Sequence, residues 1–114
     1  MADALDAIVV LMTAPTAEEA TRLADALVKA RLAACVQILP EMQSVYRWEG
    51  KIERQKEVLI IAKTVASKFE SLEKTVREIH SYDTPEIVAF PLTAGSSAYL
   101  QWLNDSVDDD SVSR

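Results

Sequence analysis

The order of apolar patterns along the chain predicts an α+β sandwich with βαββαβ connectivity, a long central hairpin and a short C-terminal helix. Short apolar runs that suit buried strands alternate with two segments whose apolar residues recur at helical spacing. The middle of the chain holds two extended stretches around a glycine-containing turn. This order is that of a ferredoxin-like split βαβ sheet, in which right-handed crossovers place both helices on one face.

The first strand and the first helix have the clearest signals. Residues 7–12 are continuously apolar, which predicts a strand, β1, that is buried on both faces. Thr16 opens the capping-box pattern Thr-Ala-Glu-Glu, and apolar residues then recur at helical spacing as far as Arg31. This second segment predicts α1.

The middle of the chain predicts an unusually long hairpin. Residues 33–46 and 51–64 predict strands β2 and β3, joined at residues 47–50, where Gly50 supplies the positive φ that a tight turn often needs. Pro40 cannot donate a backbone hydrogen bond, so it predicts a bulge or an edge within β2. A strand of about 13 residues spans ~43 Å, whereas a helix of about 15 residues spans ~23 Å. We therefore expect the hairpin to reach beyond its own helices.

The second half of the chain adds a helix, a short strand and a closing helix. Residues 67–70, Ser-Lys-Phe-Glu, match a second capping box, and α2 is predicted from there to His80. The apolar stripe of this helix consists of Phe69, Leu72, Val76 and Ile79. Residues 86–92 predict β4, and residues 96–104 predict α3.

Composition predicts one domain over residues 1–104, followed by an acidic tail of residues 105–114 that we expect to be disordered. Hydrophobic residues make up 49% of the 114-residue chain, which excludes a wholly disordered protein. The net charge is -6 and no basic stripe is present, so nucleic acid is not an expected partner.

Cysteine content and the N-terminal sequence predict a cytoplasmic protein. The one cysteine, Cys35, excludes an internal disulfide and suits a reducing compartment. The first residues carry acids where a signal peptide carries bases, and the apolar run of residues 7–12 is too short to span a membrane. We therefore expect no membrane association.

Two observations predict an oligomer. Two helices on one face leave the other face of the sheet open, although β1 and residues 58–62 are apolar on both sides. The hairpin tip is an amphipathic ribbon, and an isolated ribbon of this kind is marginally stable. We therefore expect other copies of the chain to cover both surfaces, the alternative being a flexible hairpin whose aromatic side chains pack on one another. The expected interface residues are Tyr46, Trp48, Ile52, Tyr99 and Trp102.

Five ordered motifs point to one family. Residues 32–40 read Leu-Ala-Ala-Cys-Val-Gln-Ile-Leu-Pro, and residues 44–50 read Ser-Val-Tyr-Arg-Trp-Glu-Gly. Residues 57–64 read Glu-Val-Leu-Ile-Ile-Ala-Lys-Thr, residues 80–86 read His-Ser-Tyr-Asp-Thr-Pro-Glu, and residues 99–102 read Tyr-Leu-Gln-Trp. Over residues 8–103 the chain resembles the CutA family of divalent-cation tolerance proteins.

The resemblance implies a homotrimer of ferredoxin-like subunits, similar in architecture to the PII signalling proteins. It also implies a role in tolerance of copper or other divalent metals, an association that gives the family its name, and it brings no agreed reaction. We therefore expect a non-enzymatic protein that binds Cu(II) or another divalent metal. The alternatives are a PII-like sensor, an enzyme that uses Lys63 or Cys35, and a passive scaffold for other proteins.

The candidate metal ligands are Cys35, His80 and Glu57. Thiolate and imidazole bind copper and zinc well, and the carboxylates of Asp83 and Glu86 could add oxygen ligands. The chain has no CxxC, HxxxH or HExxH motif, so a metal site must be assembled in space. The structural alternatives are core packing for Cys35, interaction with the end of α2 for His80, and solvated positions for the carboxylates.

A cleft between subunits is the second candidate site. Its expected lining residues are Trp48, Glu57, Lys63, His80 and Tyr82, which lie in the matching motifs. Ligand pockets often form between subunits, and the PII-like alternative predicts that this cleft binds a small anionic metabolite beside Lys63. The structural alternative for Lys63 is a side chain that reaches solvent or pairs with a carboxylate.

Overall fold

A computed structural model describes residues 6–108 of the chain. The elements are β1 (Ala7–Ala14), α1 (Ala17–Lys29), β2 (Cys35–Trp48), β3 (Lys51–Val65), α2 (Phe69–Ile79), β4 (Ile87–Pro91) and α3 (Ser97–Val107). The strands form one antiparallel sheet in the order β2-β3-β1-β4. The predicted α+β, ferredoxin-like fold is confirmed.

Both α1 and α2 cover the same face of the sheet, as predicted. The core on this face is built from alternate strand residues and from the apolar stripes of the two helices. Its fully buried members include Val10, Met12, Leu23, Leu27, Ile60, Leu72 and Val76. Removal of these side chains from water is the largest favourable contribution to folding.

Within residues 6–108, the opposite face of the sheet is covered at one end. There α3 packs Leu100, Leu103 and Val107 against Ala7 and Val65. The strand register places further apolar side chains on the remainder of this face, which we call the open face. They are Leu11, Leu39, Leu59, Ile61, Val88 and Phe90. Phe90 is 47% exposed, so a single chain leaves apolar surface uncovered, as the sequence predicts.

The hairpin is longer than the body of the domain, as predicted. The 15 residues of β3 extend ~50 Å, whereas the 13 residues of α1 extend ~20 Å. Glu49 and Gly50 alone make the turn, with φ of 49° and 79°, so β2 continues two residues past its predicted end to Trp48. The bulge predicted at Pro40 is present, because the register shifts between Leu39 and Met42.

Two boundaries differ from the sequence prediction. The expected capping box at Ser67 is wrong, because a 3-10 turn over Ala66–Lys68 precedes α2 and no side chain caps that helix. The helix α3 does not end at residue 104 as predicted but continues to Val107, which is 2% exposed and packs with Leu100 and Leu103. The remainder of the expected tail, residues 109–114, lies outside the described residues.

A buried polar cluster joins α1, β1 and the end of α2. The first-turn residue Glu19 accepts hydrogen bonds through Oε2 from the Ser81 backbone N–H at 2.9 Å and the Ser81 hydroxyl at 3.1 Å. His80 Nε2 lies 2.7 Å from the carbonyl oxygen of Thr13. Because a carbonyl oxygen only accepts, Nε2 is the donor. Thr16 caps α1 as predicted, whereas the Glu19 side chain holds the loop after α2.

The cluster predicts a pH dependence of stability. Burial by itself raises the pKa of Glu19, but the hydrogen bonds from the Ser81 backbone N–H and hydroxyl, together with the positive charge of Arg22, hold that pKa below its usual value. The stability that Glu19 contributes is therefore complete above its unfolded pKa and is lost as the pH falls through the lower folded pKa. Between about pH 6 and about pH 3, urea denaturation should show a smaller loss of unfolding free energy for Glu19→Gln than for the unmodified chain. Equal losses would contradict this account.

The hydroxyl of Thr64 predicts a stabilising substitution. Thr64 is 0% exposed, and its Oγ1 has no hydrogen-bond partner among the described residues. Thr64→Val keeps the shape of the side chain and removes the buried hydroxyl, so the free energy of unfolding should rise by about 1 kcal/mol. Thr21→Val is the control, because the Thr21 hydroxyl donates to the Ala17 carbonyl oxygen and its loss should not stabilise. A less stable Thr64→Val protein would show that this hydroxyl is satisfied.

Candidate functional site

A cleft of about 610 Å³ opens between the projecting hairpin and the loop that joins α2 to β4. One wall belongs to β2 and β3, and the other belongs to residues 82–86 of the loop. We call it the acidic cleft. Its acidic and aromatic lining residues are Tyr46, Trp48, Glu57, Tyr82, Asp83 and Glu86.

The bulge at Pro40 determines which side chains of β2 face the cleft. Before the bulge Leu39 pairs with Leu59, and after it Met42 pairs with Glu57. The extra residue reverses the alternation of β2 relative to β3, because side chains point to opposite faces with a period of two. Tyr46 and Trp48 therefore share the face of Glu57. Without the bulge they would point to the other side of the ribbon.

A relay of hydrogen bonds fixes the walls of the cleft relative to each other. The Tyr46 hydroxyl donates to Gln55 Oε1 at 2.7 Å, and Gln55 Nε2 donates to the Tyr82 hydroxyl oxygen at 3.0 Å. The Tyr82 hydroxyl in turn donates to Glu57 Oε2 at 3.0 Å. The Tyr46 hydroxyl, the Gln55 amide nitrogen and the Tyr82 hydroxyl each donate to one acceptor, so these bonds set the orientation of all three side chains. The relay ties the loop that carries Tyr82 to the hairpin.

Glu57 is the most unusual group in the cleft. Glu57 is 7% exposed, yet no Lys, Arg or His of the described residues forms an ion pair with its carboxylate. Tyr82 holds Oε2, whereas Oε1 has no hydrogen-bond partner within residues 6–108. Oε1 keeps contact with solvent in the cleft, because Thr64 Oγ1 is the one fully buried side-chain polar atom without a partner among the described residues. A carboxylate oxygen that is open to the cleft and has no basic partner attracts positive charge. Glu57 therefore favours a cationic ligand.

The electrostatics of the rest of the cleft point the same way. Asp83 and Glu86 line it as well, and none of its lining residues is basic. Burial, the hydrogen bond to Glu57 and the negative charge of Glu57 raise the pKa of Tyr82 to about 12. Tyr82 therefore stays protonated at neutral pH and remains a hydrogen-bond donor to Glu57.

A single chain does not bring together the three candidate metal ligands. Cys35 begins β2 opposite Lys63, and Glu57 lies six residues from Lys63 along β3, a separation of ~20 Å. His80 donates through Nε2 to Thr13 and accepts the Tyr82 backbone N–H at Nδ1, at 3.0 Å. Within residues 6–108, no three His, Cys, Asp or Glu side chains form a group that could hold a metal ion.

The expected cleft lies between subunits, so it stays a prediction. Of its expected residues, Trp48, Glu57 and Tyr82 line the acidic cleft of the single chain, whereas Lys63 and His80 do not. The Lys63 ammonium lies 5.5 Å from the centre of the Tyr99 ring on α3, where it makes a cation–π contact. The His80 ring lies behind Tyr82, with ring centroids 4.8 Å apart. The expected interface residues Tyr46, Trp48, Ile52, Tyr99 and Trp102 are all exposed in the single chain.

Sequence reasoning missed the part that Gln55 plays. Gln55 lies two residues before Glu57 on β3, so the alternation of side chains places both on the same face of the strand. Ser44 pairs with Gln55 across the hairpin, which follows from the bulge at Pro40. These two patterns together could have placed Gln55 in the cleft. What the sequence did not contain was the position of the loop carrying Tyr82, because that position depends on the tertiary contacts of Glu19 and His80.

The location of the protein stays a prediction. Within the described part of the chain, no helix has the length and apolar character that a bilayer crossing requires. A relative from Arabidopsis thaliana, 48% identical over 99 residues, is named as a chloroplastic CutA protein. The match covers 87% of this chain and 54% of the plant protein, so the chain spans about half the length of that relative.

Three comparisons establish the family. The family model described as CutA1 divalent ion tolerance protein matches residues 8–106. The divalent-cation tolerance protein CutA of Pectobacterium atrosepticum is 47% identical over 102 residues, which are 90% of this chain and 93% of that protein. The structure of the divalent cation tolerance protein Cut A1 from Thermus thermophilus superimposes with a TM-score of 0.86 at 44% identity, over 88% of this chain and 97% of that chain. This chain therefore belongs to the CutA1 divalent ion tolerance family.

Proposed function

We propose that this protein is a cytoplasmic homotrimer that binds a divalent metal ion in the acidic cleft and takes part in tolerance of such ions or in the response to them. The observation that carries the proposal is Glu57, a buried carboxylate with one unpaired oxygen and no basic partner in the described chain. The family name supports the same ligand class, because relatives are named for divalent-cation tolerance. The proposal involves no catalytic step.

The charge of the cleft favours this function over a PII-like sensor of anionic metabolites. That alternative places Lys63 and His80 in a cleft between subunits, and neither residue lines the acidic cleft of the single chain. Three carboxylates would face the bound anion, with no cation among the lining residues to offset the repulsion. A ligand of this cleft should therefore carry positive charge.

The donor atoms of the cleft support a divalent cation, and Cu(II) is the first ion to test. Glu57, Asp83 and Glu86 offer carboxylate oxygens. Among first-row divalent ions a site of given donors binds Cu(II) most tightly. Because the described chain offers too few convergent donors, the proposal places the remaining ligands on a neighbouring subunit or on water.

The open face and the hairpin support the assembly. Leu39, Val88 and Phe90 are exposed apolar residues of the open face, and Trp48 and Ile52 are exposed on the hairpin. A monomer rarely exposes apolar surface on this scale, because the surface gains free energy when a partner removes it from water. Further copies of the chain are the proposed partners, and the family resemblance implies three of them.

The metal proposal predicts the effect of neutralising Glu57. Calorimetric titration of Cu(II) should show binding at least about tenfold weaker for Glu57→Gln than for the unmodified chain, because a charged ligand becomes a neutral amide. Asp25→Asn is the control, since Asp25 is exposed on α1 and does not line the cleft. Unchanged affinity in Glu57→Gln would contradict the proposed site. Loss of binding in Cys35→Ser alone would move the site to the start of β2.

The assembly proposal predicts the solution mass. Light scattering at micromolar concentration should give about three times the chain mass of 12.6 kDa. Phe90→Glu should shift the mass toward one chain, because it puts a charge on the open face. Val28→Glu is the matched control, since Val28 is 45% exposed and lies on α1, away from the open face. A folded monomer of the unmodified chain, or equal effects of both substitutions, would contradict the proposal.

A further inference from the structure

We infer that His80 is a positioning residue of the acidic cleft and not one of its metal ligands. From behind the cleft, its imidazole ring holds Thr13 and Tyr82, two residues that line the cleft on different elements. This role rests on the proposed assignment of the cleft as a cation site. It gives the histidine a part in the affinity of that site without contact to the ion.

Both ring nitrogens of His80 are engaged with residues of the cleft. Nε2 lies 2.7 Å from the carbonyl oxygen of Thr13 on β1, and Nδ1 lies 3.0 Å from the backbone nitrogen of Tyr82 in the loop after α2. The side chain of His80 is 0% exposed, and His80 does not line the cleft itself. The ring therefore joins β1 to the loop wall from inside the protein.

These two hydrogen bonds occupy both positions at which imidazole binds a metal ion. The Thr13 carbonyl oxygen accepts, so Nε2 carries the proton, and the Tyr82 N–H donates to the lone pair of Nδ1. A metal ion binds imidazole through a nitrogen lone pair. Ligation at Nδ1 would displace Tyr82, and ligation at Nε2 would displace Thr13. Ligation by His80 would therefore detach the ring from a residue of the cleft.

Glu19 holds the same segment from the side of α1. Its Oε2 atom accepts the backbone N–H of Ser81 at 2.9 Å and the Ser81 hydroxyl at 3.1 Å, and Ser81 lies between His80 and Tyr82. Glu19 is 5% exposed and does not line the cleft. Residues 80–82 are thus tied to both α1 and β1 before a cation reaches the cleft.

The position of this segment determines whether Tyr82 reaches Glu57. The Tyr82 hydroxyl donates to Glu57 Oε2 at 3.0 Å, and such a bond is lost when the donor moves much beyond about 3.2 Å. The next loop residue, Asp83, adds a carboxylate to the cleft. Release of His80 would therefore disturb two of the carboxylates at once. Groups that orient metal ligands from behind typically change metal affinity by about 10- to 100-fold when they are mutated.

The first test asks whether His80 touches the metal ion. His80 is the one histidine of the chain, so any imidazole nitrogen signal from bound Cu(II) must come from it. Electron spin-echo envelope modulation of the tag-free, full-length protein with one equivalent of Cu(II) should show no imidazole nitrogen coupling. An imidazole signal would overturn the inference.

The second test compares two substitutions of His80 by calorimetric titration of Cu(II). His80→Ala loses both hydrogen bonds, so Cu(II) should bind about tenfold more weakly than to the unmodified chain. His80→Asn keeps a side-chain acceptor for the Tyr82 N–H two residues on, as in an Asx turn, and should stay within about threefold of the unmodified chain. Equal weakening in the two variants is the result that a lost ligand predicts, and it would overturn the inference.

Val76→Ala is the matched control for both substitutions. Val76 is 0% exposed in the core beside α1, so its truncation leaves a cavity near the end of α2 without removing a side-chain hydrogen bond. Its Cu(II) affinity should equal that of the unmodified chain. Weakening as large as in His80→Ala would show that loss of packing alone explains the effect, and it would overturn the inference.

The third test needs no metal ion. In EDTA and at one fixed chain concentration, Tyr82→Phe should lower the midpoint of guanidinium chloride denaturation, because it removes the hydrogen bond to Glu57. In the His80→Ala background the same substitution should lower the midpoint by at most about half as much, because the hydroxyl is no longer held at Glu57. The Val76→Ala background should keep the full effect. Equal effects with and without His80 would overturn the inference.

The inference and the proposed function can fail separately. If Cu(II) does not bind and the third test gives the expected result, the metal proposal fails and the positioning role of His80 stands. If Cu(II) binds through Glu57 and also gives an imidazole signal, the positioning role fails and the metal proposal stands.

Discussion

The length of the central hairpin is the constraint on which the rest of the structure depends. The 14 residues of β2 and 15 of β3 extend well beyond α1 and α2, which have 13 and 11 residues. The molecule is accordingly 50 Å long and only 27 by 22 Å in cross-section. No helix of the described part of the chain packs against the portion of the hairpin that leaves the domain body. It can be ordered by its own pairing, by the loop that it meets at the cleft, and by neighbouring chains.

The candidate site arises where this hairpin meets the loop after α2. On the hairpin side the bulge between Leu39 and Met42 turns Tyr46 and Trp48 toward Glu57. On the loop side the contacts of Glu19 and His80 hold the segment that carries Tyr82. The bulge thus positions the hairpin wall, hydrogen bonds position the loop wall, and the hydrogen bond from Tyr82 to Glu57 joins the two walls. His80 therefore supports the site by holding the loop that carries Tyr82, although His80 itself does not line the cleft.

Local patterns predicted the fold well and the site only in part. Apolar periodicity, the Thr16 cap, Pro40 and Gly50 were sufficient for the strand order and the hairpin, because these features act within a few residues. The end of α3 was misplaced because polar residues precede Val107, whose burial depends on a distant strand. The metal ligand set stays a prediction. The contact of His80 could not be predicted for a similar reason, because its imidazole donates to the carbonyl oxygen of Thr13, a residue 67 positions away that no local pattern relates to it.

The proposed assembly requires that neighbouring copies of the chain shelter the hairpin. Amide hydrogen exchange of residues 43–56 measures this sheltering, because an unsheltered two-stranded ribbon opens readily whereas a docked one does not. We expect slow exchange of these amides in the assembled protein and faster exchange on dilution, while the amides of β1 stay protected. Exchange of the hairpin amides at the rate of an unstructured peptide at every concentration would contradict it.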